Sequence, residues 1–106
     1  MRIAIVDDLV NERALLRNRL EQALNGRSVQ TDICEYANGE AFIQAAEKQR
    51  FSAAFLDIYM PGANGIDTAR ALRAFDPDCL LIFTTTSTDH ALEGFQVRAM
   101  HYLVKP

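Results

Sequence analysis

Four short apolar runs in this chain each end in polar or charged groups, and that repeated boundary limits the possible folds more than any other feature. Ile3-Ala4-Ile5-Val6 runs into Asp7-Asp8, and Ala53-Ala54-Phe55-Leu56 runs into Asp57. Leu80-Leu81-Ile82-Phe83 runs into Thr84-Thr85, and Tyr102-Leu103-Val104 into Lys105-Pro106. Near-continuous apolar runs of this length are what strands buried on both faces require. Between them the spacing turns helical. Asn11 to Leu24 carries Leu16, Leu20, Ala23 and Leu24 at i, i+4, i+7 and i+8, and Asn25-Gly26 closes the segment as a helix C-terminus should. On that helix Arg13, Arg17, Arg19 and Glu21 read as the solvated face.

The remaining segments continue the alternation. Val29 to Tyr36 reads as a second strand, more polar and so at an edge. Asn38-Gly39-Glu40 opens a helix with Phe42, Ala45 and Ala46 on one face, and Phe51 to Leu56 is the third strand. A third helix runs from about Ile66 to Phe75 and stops before Pro77; Leu80 to Thr84 is the fourth strand. Thr88 or Asp89 caps a fourth helix ending near Arg98, and Tyr102 to Val104 is a short fifth strand. Alternating strands and helices with short connections predict a parallel sheet, right-handed crossovers and helices on both faces. Strand order 2-1-3-4-5 would set strands one and three side by side at the switch point, where such sheets bind ligands outside the carboxyl ends of their strands. Asp7, Asp8, Asp57, the threonines and Lys105 are thereby expected at one edge. The expectation is a single domain over residues 1–106 that lacks the helix covering its last strand.

Composition closes off other classes. A net charge of −3 argues against nucleic-acid binding by this segment, which would favour a basic face. The first apolar run meets two aspartates after four residues and is no signal peptide, and no apolar stretch approaches the roughly 18 residues of a membrane span. Cys34 and Cys79, far apart and in no CxxC pattern, read as reduced thiols of a cytoplasmic protein.

Three carboxylates gathered at one edge repel one another unless a hard cation neutralises them. Mg²⁺ suits the set, since it takes oxygen ligands octahedrally and commonly binds through carboxylates and phosphate oxygens. One carboxylate can then attack phosphorus to form an acyl phosphate. Asp57, alone at the centre of the edge, is the candidate nucleophile; Asp7 and Asp8 are candidate ligands, with the Tyr59 backbone carbonyl as a further oxygen. Lys105 would offset charge on the phosphoryl oxygens from the other side.

The chain resembles the receiver domains of two-component response regulators along its entire length. The matching pieces are Val6-Asp7-Asp8, Leu56-Asp57-Ile58-Tyr59-Met60-Pro61-Gly62, Asn64-Gly65-Ile66, Phe83-Thr84-Thr85 and Tyr102-Leu103-Val104-Lys105-Pro106. The resemblance implies a flavodoxin-like α/β fold with a doubly wound five-stranded parallel sheet. It also implies that Asp57 is the phosphoacceptor, Asp7 and Asp8 the acidic pair holding Mg²⁺, and Lys105 the phosphate-contacting lysine. Thr85 resembles the switch hydroxyl and Tyr102 the aromatic that moves with it, and the Lys105-Pro106 bond is cis in such domains. A sensor histidine kinase is the implied phosphoryl donor, catalysis being limited to self-phosphorylation and self-dephosphorylation.

A finer resemblance lies in Ile82-Phe83-Thr84-Thr85, His90 to Phe95 and Ala99 to Pro106, which are similar to receivers joined to LytTR-type DNA-binding domains. It implies a missing final helix and C-terminal output domain, DNA contact only through that domain, transcriptional regulation, and a homodimer through the helix 4/strand 5 face. In this chain Thr86 stands where a smaller residue is common, and Tyr59 is a large aromatic able to screen an acyl phosphate from water.

Other functional classes make different demands on the same residues. An Mg²⁺-dependent phosphohydrolase with an aspartyl nucleophile would want a second acid two residues on, where Tyr59 stands. A flavin-binding domain would want a hydroxyl- and glycine-rich phosphate loop after strand one, where Asp7-Asp8 would repel phosphate. A receiver-like interaction module independent of phosphorylation would have no use for the intact acid set.

Overall fold

The computed structural model describes residues 1–27, 30–85 and 101–104. The elements are β1 (Arg2–Val6), α1 (Val10–Leu24), β2 (Asp32–Tyr36), α2 (Gly39–Lys48), β3 (Ala53–Asp57), α3 (Gly65–Arg73), β4 (Leu80–Thr85) and β5 (His101–Val104). They form a five-stranded sheet in the order β2-β1-β3-β4-β5, parallel at every pairing. The expected sheet is therefore present. The helix expected between Thr88 and Arg98, the Lys105-Pro106 bond and Val29 lie outside the described residues.

Strand order reverses after β2. The chain leaves β1 for β2 on one side, then crosses back over β1 to reach β3. With right-handed crossovers, α1 must lie on one face of the sheet and α2 and α3 on the other. The register separates the two faces cleanly. Ala4 pairs with Cys34 and Ala54, Ala54 with Leu81, Val6 with Leu56, and Leu56 with Phe83. These residues join Phe42, Ile66, Ala69 and Leu72 in the main core, under α2 and α3. Tyr36, Phe42 and Phe51 close its outer end with ring centroids 5.3 to 6.1 Å apart, two of the three pairs edge-on.

The α2 and α3 helices begin on side-chain caps that the sequence supplies. Asn38 accepts from the Ala41 N–H at 2.8 Å, and Asn64 accepts from the Asp67 N–H at 2.9 Å. The two helices touch where Gly39 meets Thr68: a Cβ at position 39 would lie 2.0 Å from the Thr68 Oγ1. Only glycine allows that approach.

The α1 side is built differently. Ile3 and Ile5 are buried beneath the helix, yet no residue of α1 is itself buried. Leu16, Leu20 and Leu24 are half-buried and Ala23 is exposed, so the apolar face expected for this helix is narrower than its spacing suggests. Arg13 and Arg17, expected in solvent, instead lie over the edge strand. Each guanidinium donates through Nε to the Glu35 carboxylate, and Arg17 also reaches the Ile33 carbonyl at 2.7 Å. The long apolar stems of arginine run along the helix–sheet junction while the charged heads find partners on β2. Elsewhere on this sheet face Phe55 is half-buried, and Leu80 and Leu103 are exposed.

Candidate functional site

β1 and β3 are neighbours with Val6 opposite Leu56. The residues that come next, Asp7 just beyond β1 and Asp57 at the end of β3, therefore emerge together at the carboxyl edge. One oxygen from each of Asp7, Asp8 and Asp57 lies within 4.8 Å of the others. Asp7 and Asp57 are only 4% exposed, and Asp8 is more open to solvent. Two buried carboxylates within 4.8 Å repel by about 3 kcal/mol at an effective dielectric of about 20. An arrangement of hard oxygen donors under mutual repulsion fits a small divalent cation such as Mg²⁺.

Asp7 and Asp57 are held by their main chains. Asp7 donates its N–H to the Tyr36 carbonyl at 3.1 Å, and its carbonyl accepts from the Arg13 guanidinium at 2.7 Å. Its carboxylate accepts from the Leu9 N–H at 2.9 Å, a local turn that aims the side chain. On β3 the loop after Asp57 folds back tightly. A Cβ on Gly65 would lie 2.3 Å from the Asp57 carbonyl oxygen, so glycine is required there. Gly65 donates its N–H to the Ile58 carbonyl at 3.0 Å, and the Ile58 N–H donates to the Thr84 carbonyl at 3.3 Å. The end of β4 is thereby tied to the turn that carries Asp57.

The remaining expected residues divide. Thr84 pairs in register with Asp57 and is buried, while Thr85 is the last residue of β4. Tyr102 lies in β5 opposite Phe83. The side chains of Thr85 and Tyr102, and all of Lys105, lie outside the described residues. Tyr59 is half-exposed at the rim of the edge.

Sequence reasoning missed the arginine pair. The hydrogen bond from Arg17, helped by the charges of Arg17 and Arg13, holds the Glu35 carboxyl below its usual range despite partial burial, and Glu35 in turn raises Arg17. The available signal was an acid in the edge strand together with two arginines one helical turn apart in the preceding helix.

Comparison with known proteins settles the family. The response regulator receiver domain model matches residues 3–106. The chain belongs to that family. The receiver is 32% identical over 106 residues to the sensory transduction protein LytT of Bacillus subtilis, and 37% identical over 108 residues to the positive alginate biosynthesis regulatory protein of Pseudomonas aeruginosa. Both alignments take in all of this chain but only 42% of the relative, so the chain spans about two-fifths of their length. Among solved structures, the response regulator TrrA of Thermotoga maritima, in complex with Mg²⁺-BeF, superimposes with a TM-score of 0.83 at 29% identity, covering 99% of the receiver and 86% of that chain. Receivers are signalling modules, and the similarity to LytT-type regulators agrees with the finer resemblance in the sequence.

Proposed function

We propose that Asp57 accepts a phosphoryl group from the phosphohistidine of a sensor histidine kinase. The observation that carries this reading is the convergence of Asp7, Asp8 and Asp57 within 4.8 Å at the switch point of the sheet. A carboxylate oxygen of Asp57 forms the new P–O bond as the P–N bond to the donor imidazole breaks, and the imidazole nitrogen takes a proton as it leaves. Asp7, Asp8, Asp57 and the Tyr59 carbonyl would hold Mg²⁺, which when bound offsets the charge of the acids and of the phosphoryl oxygens. Support for the cation comes from the donor set and from the Mg²⁺-BeF complex of the similar TrrA.

Lys105 stabilises the phosphoryl oxygens, and Thr85 bonds one of them. Tyr102 follows the displacement of Thr85, which biases the surface around β5 between two arrangements. That surface passes the signal to a homodimer or to a C-terminal DNA-binding module of LytTR type, giving cytoplasmic control of transcription. Among the described residues no helix is long and apolar enough to cross a membrane. The chain's own chemistry is limited to gaining and losing its phosphoryl group.

Intact-mass analysis with acetyl phosphate tests this reading, with and without Mg²⁺, beside a folded Asp57→Asn variant. One added phosphoryl group that requires both Mg²⁺ and Asp57 is the expected result. An adduct persisting in Asp57→Asn would move the acceptor elsewhere, and no adduct on folded wild-type protein would reject phosphotransfer.

A further inference from the structure

The geometry points to Arg13 as a positioning residue for the cation site, acting through the peptide that joins Asp7 to Asp8. The inference rests on the cation-binding reading above. The Arg13 guanidinium donates to the Asp7 carbonyl at 2.7 Å, and that oxygen belongs to the planar unit whose nitrogen is the Asp8 N–H. Holding the oxygen fixes the plane, and the plane fixes the direction in which the Asp8 Cα leaves it. The same residue's N–H is bonded to Tyr36 and its carboxylate to Leu9, so the Arg13 contact completes the restraint of the Asp7-Asp8 turn.

The local structure makes this restraint matter. The N-cap of α1 is Leu9, which makes no side-chain capping bond. The turn carrying both acids thus enters its helix without the anchor that Asn38 and Asn64 give α2 and α3. Arg13 lies on the first turns of α1 and bonds back to the carbonyl just before the helix. It is held in place by Glu35, to which its Nε donates at 3.2 Å. Arg13 bonds one oxygen of Glu35, and Arg17 bonds the other. The path runs from Glu35 on the edge strand through Arg13 to the metal-binding turn, as outer partners orient ligands in established metal sites.

Positioning and simple electrostatics predict opposite signs. A guanidinium beside a cation site repels the cation, so deleting its charge should tighten Mg²⁺ binding if charge alone mattered. If Arg13 holds the turn, deleting it loosens the ligand geometry and weakens binding. Calorimetric titration of the chain with MgCl₂ at constant ionic strength separates them, with the Asp8 amide resonance as a second readout. Arg13→Gln is expected to lose about tenfold in Mg²⁺ affinity, within the range typical of lost outer partners. Arg13→Lys should recover part of it. Arg17→Gln, which leaves the Asp7 carbonyl bond intact, should stay within about twofold of wild type, well below the loss typical of an outer partner.

Unchanged or tighter binding in Arg13→Gln would overturn the role of Arg13, as would an equal loss in Arg17→Gln. Should Arg13→Gln fail to fold, Arg13→Lys against Arg17→Lys carries the same comparison. Saturable Mg²⁺ binding by the wild type is the separate check on the site itself; its absence would overturn both readings at once.

Discussion

The two faces of the sheet are held by different physics. Beneath α2 and α3 lies an apolar core in which Phe42, Leu56, Ile66, Leu72 and Phe83 are almost wholly buried. Beneath α1, among the described residues, the buried apolar side chains are Ile3 and Ile5, no residue of α1 is buried, and the helix is held to β2 by Arg13, Arg17 and Glu35. The acids divide along the same line. Asp57 closes a strand that contributes Ala54 and Leu56 to the core, and its loop is packed by Gly65. Asp7 and Asp8 open onto α1, whose attachment is polar. One wall of the site is thus set by packing and the other by directed hydrogen bonds. Packing is stiff and tolerates little change, whereas hydrogen bonds orient groups and respond to charge and pH.

The largest expected effect tests the stiff side. Phe42→Ala should destabilise the protein by about 3 to 5 kcal/mol, through lost burial and an unfilled cavity. Leu16→Ala on α1 removes a half-buried side chain and should cost about 1 kcal/mol. Urea unfolding of the two variants measures both, and equal losses would erase the contrast between the faces.

A smaller effect tests the polar side through pH. Glu35 has its carboxyl lowered in the folded state, chiefly by Arg17. Its contribution is therefore fully present above the unfolded carboxylate range near 4.5 and is lost as pH falls through the lower folded value. The stability difference between wild type and Glu35→Gln should be below about 1 kcal/mol near neutrality, since the bridges are partly exposed. It should shrink further between about pH 5 and about pH 3. A difference that stays constant over that interval would show that Glu35 acts by shape rather than charge.

A further prediction probes depth within the core side. Burial pushes the Cys79 thiol up to about 12, with the charge of Asp76 adding to it, whereas Cys34 is only half-buried. An alkylating reagent should modify Cys34 in the folded protein and reach Cys79 at a rate that tracks unfolding. Because the folded state disfavours the Cys79 thiolate, stability should also fall as pH rises from about 9 toward 12. Equal modification rates for the two thiols under native conditions would contradict the packing described here.

Much of this arrangement was legible in the sequence because the core side obeys periodic rules. The apolar runs of β1, β3 and β4, the Asn38-Gly39-Glu40 opening of α2, and the acids at strand ends all follow from local pattern. Boundaries moved where the ladder extended beyond the apolar run, as at Asp57, which pairs with Thr84 and so closes β3 rather than following it. The α1 side was misread for a definite reason. Arginines at helical spacing look solvated in one dimension, and only the register of β1 against β2 shows that Glu35 lies beneath them. The roles given to Thr85, Tyr102 and Lys105 came from family resemblance, since a threonine, tyrosine or lysine near a strand end has no distinguishing local pattern.

The assembly of the acids has a thermodynamic corollary. Asp7 and Asp57 come from opposite halves of the chain and meet only when β1 and β3 pair. Their repulsion is therefore absent from the unfolded chain and is a burden on the native state alone. Any cation that needs both acids binds only the folded protein, so its chemical potential enters the folding equilibrium directly. A divalent cation held by both acids would therefore raise the stability of the folded domain as its concentration rises.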